Sequence, residues 1–317
     1  MGKIAFHMVL WLTLTFLMLS CGSLPGPIAK NVEGVVWEKV FGTKTTLFSI
    51  GGFESGESVQ QTSDGGYILV GPTIDKGYDI WLLKTDALGN KLWGKTFGGD
   101  FADHGRCAQQ TSDGGYIVVG STMFGTSWED VYQRGGDQVW LVKTDVDGNE
   151  VWNKIFGGNH GGVGYFVQQT PDGGYILVGE TDSYGAGSLD VWLIKTDADG
   201  NELWNKTFGG ADTDTGNCVR QTMDGGYVLV GKTRSYGAGS SDVWLIKTDD
   251  NGNELWDLYF GGSSYDGGES LVQTADGSYV ITGYTAHKIS GLAGLGCAKM
   301  DSTTDKNLFL VKFARNY

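Results

Sequence analysis

One segment returns five times in this chain. QQTSDGGYILVG (Gln60 to Gly71) is followed by QQTSDGGYIVVG, QQTPDGGYILVG, RQTMDGGYVLVG and VQTADGSYVITG. The tyrosines are Tyr67, Tyr116, Tyr175, Tyr227 and Tyr279, with spacings of 49, 59, 52 and 52 residues. A period near fifty means that one small unit is stacked or arrayed with its copies, because no unit of that size buries its apolar faces alone.

Two more pieces repeat between these anchors, DVWLIKTD (Asp190 to Asp197) and GNELWNKTFGG (Gly200 to Gly210). Each repeat therefore carries four runs of five to eight residues rich in β-branched and aromatic side chains, too short for helices and bounded by Gly, Asp and Asn. D-G-G before tyrosine supplies the positive φ of a tight hairpin, and D-x-D-G-N supplies a second one, so successive runs pair antiparallel. The second and third runs are apolar on both faces, as in a sheet covered on both sides, whereas the fourth alternates and belongs outermost. Four such strands per repeat make the blade of a β-propeller. The fold expected is all-β, with five four-stranded antiparallel blades.

The ends suggest how the ring closes. Val35 to Gly42 (VVWEKVFG) is an orphan copy of the fourth strand, and the last repeat stops at Tyr317 without one. The N-terminal strand is expected to complete the last blade and remove the open edge. On this reading residues 1–20 are a leader, 21–34 a tether and 35–317 a single propeller domain.

KTDADGNELWNKTFGGADTDTGNCVRQTMDGGYVLVGKT resembles the β-propeller repeats of the SBBP type, found in secreted and surface proteins of bacteria and archaea, and the resemblance covers about Val35 to Phe313. DGNELW more weakly resembles the tryptophan-docking repeat of quinoprotein propellers that bind pyrroloquinoline quinone. The first resemblance implies a fold and an extracytoplasmic address; it carries no agreed catalytic motif.

The leader agrees with that address. Lys3 precedes the apolar stretch Ile4 to Leu19, and Ser20-Cys21-Gly22-Ser23 resembles a lipobox, so Cys21 is the expected lipidation site, with ordinary cleavage or an uncleaved anchor as alternatives. The expected product is an extracytoplasmic lipoprotein, on the membrane only through its acyl chains. A net charge of −14 argues against nucleic acid as a partner. Cys107 and Cys218 occupy one repeat position in non-adjacent blades and are expected as small buried residues; Cys297 leaves the set odd.

Motifs for chemistry are thin. His104, His160 and His287 are isolated, and no G-x-S-x-G or H-E-x-x-H occurs. His104 and His160 are placed in loops leading from a fourth strand to the next first strand. Asp103, Asp214 and Asp266, with Glu54, recur at one position there, which reads either as a cation or sugar site at the mouth or as carboxylates accepting backbone N–H groups in their own loops. The D-x-D-G-N-E turns depart from calcium-loop spacing and read as hairpins. The tryptophans Trp81, Trp140, Trp192 and Trp244 read as packing between blades. Neither Ca²⁺ nor pyrroloquinoline quinone is expected.

Three loops are enlarged: 43–55, 123–136 with Trp128, Tyr132 and Arg134, and 286–304 with His287. They crowd one sector of a face, as recognition of one partner requires. The function expected is a monomeric, non-catalytic binding module for a protein or glycan. A quinoprotein-like or metal-dependent propeller enzyme and a purely structural surface protein are the alternatives.

Overall fold

The repeat becomes sheet wherever it can be traced in the computed structural model, which describes Lys39, Phe41 and residues 55–73, 78–123, 136–286 and 307–313. Blade 1 pairs Ser58–Gln61, Tyr67–Thr73, Asp79–Thr85 and Lys91–Phe97; blade 2 pairs Asp103–Gln110, Tyr116–Met123, Asp137–Thr144 and Glu150–Phe156. Blade 3 pairs Gly162–Gln169, Tyr175–Thr181, Asp190–Thr196 and Glu202–Phe208; blade 4 pairs Asp214–Gln221, Tyr227–Thr233, Asp242–Thr248 and Glu254–Phe260. Among the described residues blade 5 has three strands, Gly267–Gln273, Tyr279–Thr285 and Asn307–Phe313. All pairings are antiparallel between sequence neighbours, and the described residues contain no helix. The architecture is all-β and propeller-like.

The turns do what their residues dictate. The first glycine of each D-G-G or D-G-S turn has positive φ, as at Gly114 (84°), and so does the glycine of each D-x-D-G-N turn or its blade 1 counterpart, as at Gly148 (77°). In that turn Asp145 accepts the N–H groups of Asp147 and Asn149 and the side-chain amide of Asn149, so its carboxylate is spent on the hairpin.

Packing occurs between blades. Four apolar clusters join blades 1 and 2, 2 and 3, 3 and 4, and 4 and 5. Because side chains alternate along a strand, one strand serves two junctions: Tyr116 and Val118 face blade 1, while Ile117 and Val119 face blade 3. Each junction is pinned by a fourth-strand tryptophan edge-on or tilted against the D-G-G tyrosine of the next blade, as in Trp152–Tyr175 at 5.8 Å. Trp140, Trp192 and Trp244 lie in these clusters as packing residues, with ring N–H groups on Asn153, Asn205 and Asp257.

A lysine clasp repeats at the rim. Lys95, Lys154 and Lys206, each on a fourth strand, donate to Asn149, Asn201 and Asn253 of the following blade at 2.9–3.1 Å. Lys39 donates to Asn90 of blade 1 in the same way, at 3.0 Å. Its neighbour Phe41 borders a hollow of about 240 Å³ with Leu69, Trp81 and Leu83 of blade 1. Lys39 thus holds the position toward blade 1 that a preceding blade's outer strand would occupy.

Candidate functional site: the inner wall

The first strands lie innermost, and consecutive ones adjoin from blade 1 to blade 5. In blades 2 to 5 each carries a β-bulge after its Gly, at Gly105/Cys107, Gly164/Phe166, Gly216/Cys218 and Gly268/Ser270. The backbone can cross there because the opposing second-strand residue is also glycine: a Cβ on Gly231 would overlap the carbonyl oxygen of Thr215. The extra residue is Arg106, Tyr165, Asn217 or Glu269, and Glu57 takes the matching place in blade 1, donating its N–H to Val70 O at 2.9 Å. Bulges leave one residue outside the ladder and redirect its side chain.

These five differ from blade to blade, and they connect. Arg106 reaches Glu57 at 3.5 Å on one side and lies 5.9 Å from the Tyr165 ring centroid on the other. The Tyr165 hydroxyl donates to Glu180 at 2.8 Å, and Thr215 donates to the second oxygen of that carboxylate at 2.8 Å. Asn217 donates to Gly268 O of blade 5 at 2.8 Å. Burial and the Glu180 charge hold the Tyr165 phenol well above the usual tyrosine range, and burial and then Glu269 push Tyr284 up. The result is a polar line across all five inner strands, with acceptors, a guanidinium and two phenols. Such a line can present hydrogen bonds to a polar ligand; no nucleophile–base pair stands within it.

The sequence-derived candidates fall elsewhere. Asp103 and His104 lie in the first strand of blade 2 and Asp214 opens that of blade 4, which corrects their placement in loops: the strand runs on through the glycine bulge. Asp103, Asp214 and Asp266 are buried, and each accepts the N–H of the second glycine of its F-G-G turn, Gly99, Gly210 and Gly262, at 2.6–2.9 Å. The His104 ring is 6.4 Å from Tyr78, a non-glycine residue at φ +76°. His160 engages Ser183 and Gln138 through its backbone. A hollow of about 350 Å³ beside Asp103 is lined by Phe101, Met123, Trp140 and Ile155. Cys107 and Cys218 are buried free thiols; burial pushes the Cys107 thiol up to about 11. Among the described residues no three His, Cys, Asp or Glu side chains converge. Cys21, Trp128, Tyr132, Arg134 and His287 lie outside the described residues.

The inner-wall set went unnoticed in the sequence, although a signal was there. In GESVQQT, GRCAQQT, GYFVQQT, GNCVRQT and GESLVQT the residue after glycine changes through Glu, Arg, Tyr, Asn and Glu, varying in charge and size while staying polar, between an invariant Gly and an invariant Gln-Thr.

No protein-family model and no curated protein matches this sequence. Among solved structures, the chain is similar to the tail fiber of Staphylococcus aureus phage P68, at 11% identity and TM-score 0.36, covering 84% of this chain but only 51% of the tail fiber. It is also similar to a candidate exo-β-1,3-galactanase from Bifidobacterium bifidum, at 12% identity and TM-score 0.42, covering 80% of this chain and 85% of that one. The chain therefore spans about half the length of the phage protein, and neither likeness assigns a family or an activity.

Proposed function

We propose that this chain is a lipid-anchored, extracytoplasmic five-bladed propeller of SBBP type, closed by residues 35–41 completing blade 5, and that it binds a protein or glycan without chemistry of its own. One observation carries the binding reading: the bulged residues Arg106, Tyr165, Asn217 and Glu269, with Glu57 at the matching place in blade 1, are polar in every blade but vary in charge and size within a repeated frame. Packing alone would favour the same residue five times. Distinct side chains at equivalent positions give an asymmetric pattern, which a single ligand can read.

The test uses residues 24–317 in a glycan array and in capture from the native host, followed by titration of the ligand found. Arg106→Ala and Tyr165→Ala should each weaken binding about ten-fold or more, the scale of an anchor residue. Trp128→Ala with Arg134→Ala measures the share of the enlarged loop. Affinity unchanged by Glu57, Arg106 and Tyr165 substitutions would remove the inner wall as the site.

Anchoring is tested separately. Cys21→Ser should release the protein from the membrane fraction of its native host, since Cys21 is the attachment point this reading requires. A mature N-terminus beyond Cys21 and without acyl chains, found by mass spectrometry, would overturn it.

A further inference from the structure

Two buried aspartates meet at the junction of blades 3 and 4. Asp190 opens the third strand of blade 3 and is 1% exposed; Asp214 opens the first strand of blade 4 and is fully buried. Both flank the α-carbon of Gly209: a Cβ there would overlap Asp190 Oδ1 and stand 2.9 Å from Asp214 Oδ2. The two are unequally supplied with donors. Asp214 accepts from Gly210 N–H at 2.9 Å, the Ser235 hydroxyl at 2.6 Å and Arg234 N–H at 3.1 Å, a set that suits an ionised carboxylate. Asp190 accepts only Ala186 N–H, at 2.7 Å on Oδ2, and its buried Oδ1 has no hydrogen-bond partner.

The arrangement recurs. Asp242 and Asp266 flank Gly261 between blades 4 and 5, with Asp242 accepting from Ala238 N–H and Asp266 from Gly262 N–H; here the buried oxygen without a hydrogen-bond partner is Asp266 Oδ1. Asp79 and Asp103 flank Gly98 between blades 1 and 2. At the remaining junction both carboxylates are gone together. Gln138 stands in the place of Asp190 and Gly162 in that of Asp214; the Gln138 amide oxygen lies against Gly157, and its NH₂ donates to His160 O at 3.1 Å. When the partner carboxylate is lost, the third-strand position holds a neutral group that both accepts and donates. A protonated Asp190 would do the same.

We propose that Asp190 with Asp214, and Asp242 with Asp266, each hold one proton at neutral pH, Asp190 being the carboxylic acid of the first pair and donating to the carboxylate across the blade junction. Among the described residues no lysine, arginine or histidine side chain bonds to either pair. The groups that face them are the N–H groups and the Ser235 hydroxyl named above, the Tyr236 phenol bonded to Gly209 O, and the Tyr284 phenol near Asp266, with the Arg234 guanidinium beyond it at the Tyr265 ring. Burial first, then the neighbouring aspartate's charge, pushes Asp190 and Asp242 up, against their single backbone N–H bonds. A carboxyl raised above its unfolded value of about 3.9 stabilises the fold fully below that pH. That contribution is lost as pH rises through the folded pKa.

The experiment measures Tm from pH 4 to 9 for the full-length chain, Asp190→Asn, Asp242→Asn and the double variant, because asparagine keeps a neutral donor at the site. The double variant should match the parent at pH 4 and exceed it at pH 8 by about 15 °C or more, since two carboxyls raised from about 3.9 to neutral pH each carry about 3 pKa units of pH-dependent stability. Infrared spectra at pH 7 should show protonated carboxyl absorption in the parent and less of it in the double variant. A Tm loss that is constant across pH overturns the proposal. So does a rise in the parent's Tm with millimolar Ca²⁺ at pH 8 that the variants lack, which would identify a cation site instead. If the asparagines misfold, Asp214→Asn and the infrared band of the parent still decide: absence of the band at pH 7 ends the argument.

Discussion

With residues 35–41 closing the ring as proposed, a chain that begins at residue 43 is expected to be less stable than one beginning at residue 31 by about 3–6 kcal/mol, the scale of burying two large side chains. It should also self-associate, because an unpaired strand edge templates pairing. The reason lies at the seam between blades 5 and 1. In blade 4, Val243 and Leu245 face blade 5 and are each 1% exposed; the equivalent residues of blade 5, Leu308 and Leu310, are 72% and 59% exposed. A closed ring would cover them with blade 1, and Lys39 already makes the rim clasp to Asn90 that outer strands make elsewhere. Thermal melts and size-exclusion chromatography of the two chains check this. Equal melting temperatures would mean that the N-terminal strand does not close the ring.

Most of the frame was legible because it is periodic. Local chemistry repeats with the blade: D-G-G forces the hairpin, the third and fourth runs set the pairing, and Trp and Tyr meet across every described junction. The four apolar clusters follow from alternation, which sequence shows directly. The burial of Lys84, Lys143, Lys195 and Lys247 was not legible. A lysine in the middle of KTD looks like a surface residue, and only the hairpin of the same blade brings an aspartate to it.

The site was harder to read for a related reason. Acidic residues recurring at the start of most first strands draw attention because they repeat, and in the fold Asp103, Asp214 and Asp266 accept N–H groups of the F-G-G turns from inside the junctions. The side chains proposed for recognition are those that break the repeat, and a bulge puts them out of register with the two-residue alternation used to sort faces. Arg106 and Tyr165 therefore look like ordinary strand residues until the register shifts at Gly105 and Gly164 are known.

The buried lysines lead to the second large effect. Lys143 is 7% exposed; its ammonium meets Asp113 at 2.9 and 3.2 Å and the Thr144 carbonyl at 2.8 Å, and related Lys–Asp pairs stand in the other four blades. Asp113→Ala strands that ammonium in a site with one carbonyl acceptor, and the expected cost is about 3 kcal/mol, the low end for a broken buried pair since Asp113 itself touches water. Lys143→Met should cost less, because it fills the same volume and leaves the aspartate solvated. Burial disfavours the Asp113 charge, but the Thr111 hydroxyl, Lys143 and the Gly115 N–H outweigh it and lower the carboxyl to about 2. Folded below its unfolded value, this group stabilises the protein above about pH 4, and that stability is lost as pH falls from about 4 toward 2. The parent should therefore lose stability over that interval faster than Asp113→Ala does, the reverse of the contrast expected for Asp190→Asn above pH 4. Urea midpoints at pH 2.5, 4 and 7 separate the two. If Lys143→Met proves as damaging as Asp113→Ala, the lysine stem rather than its unpaired charge sets the cost, and the ion pair is not what the blade depends on.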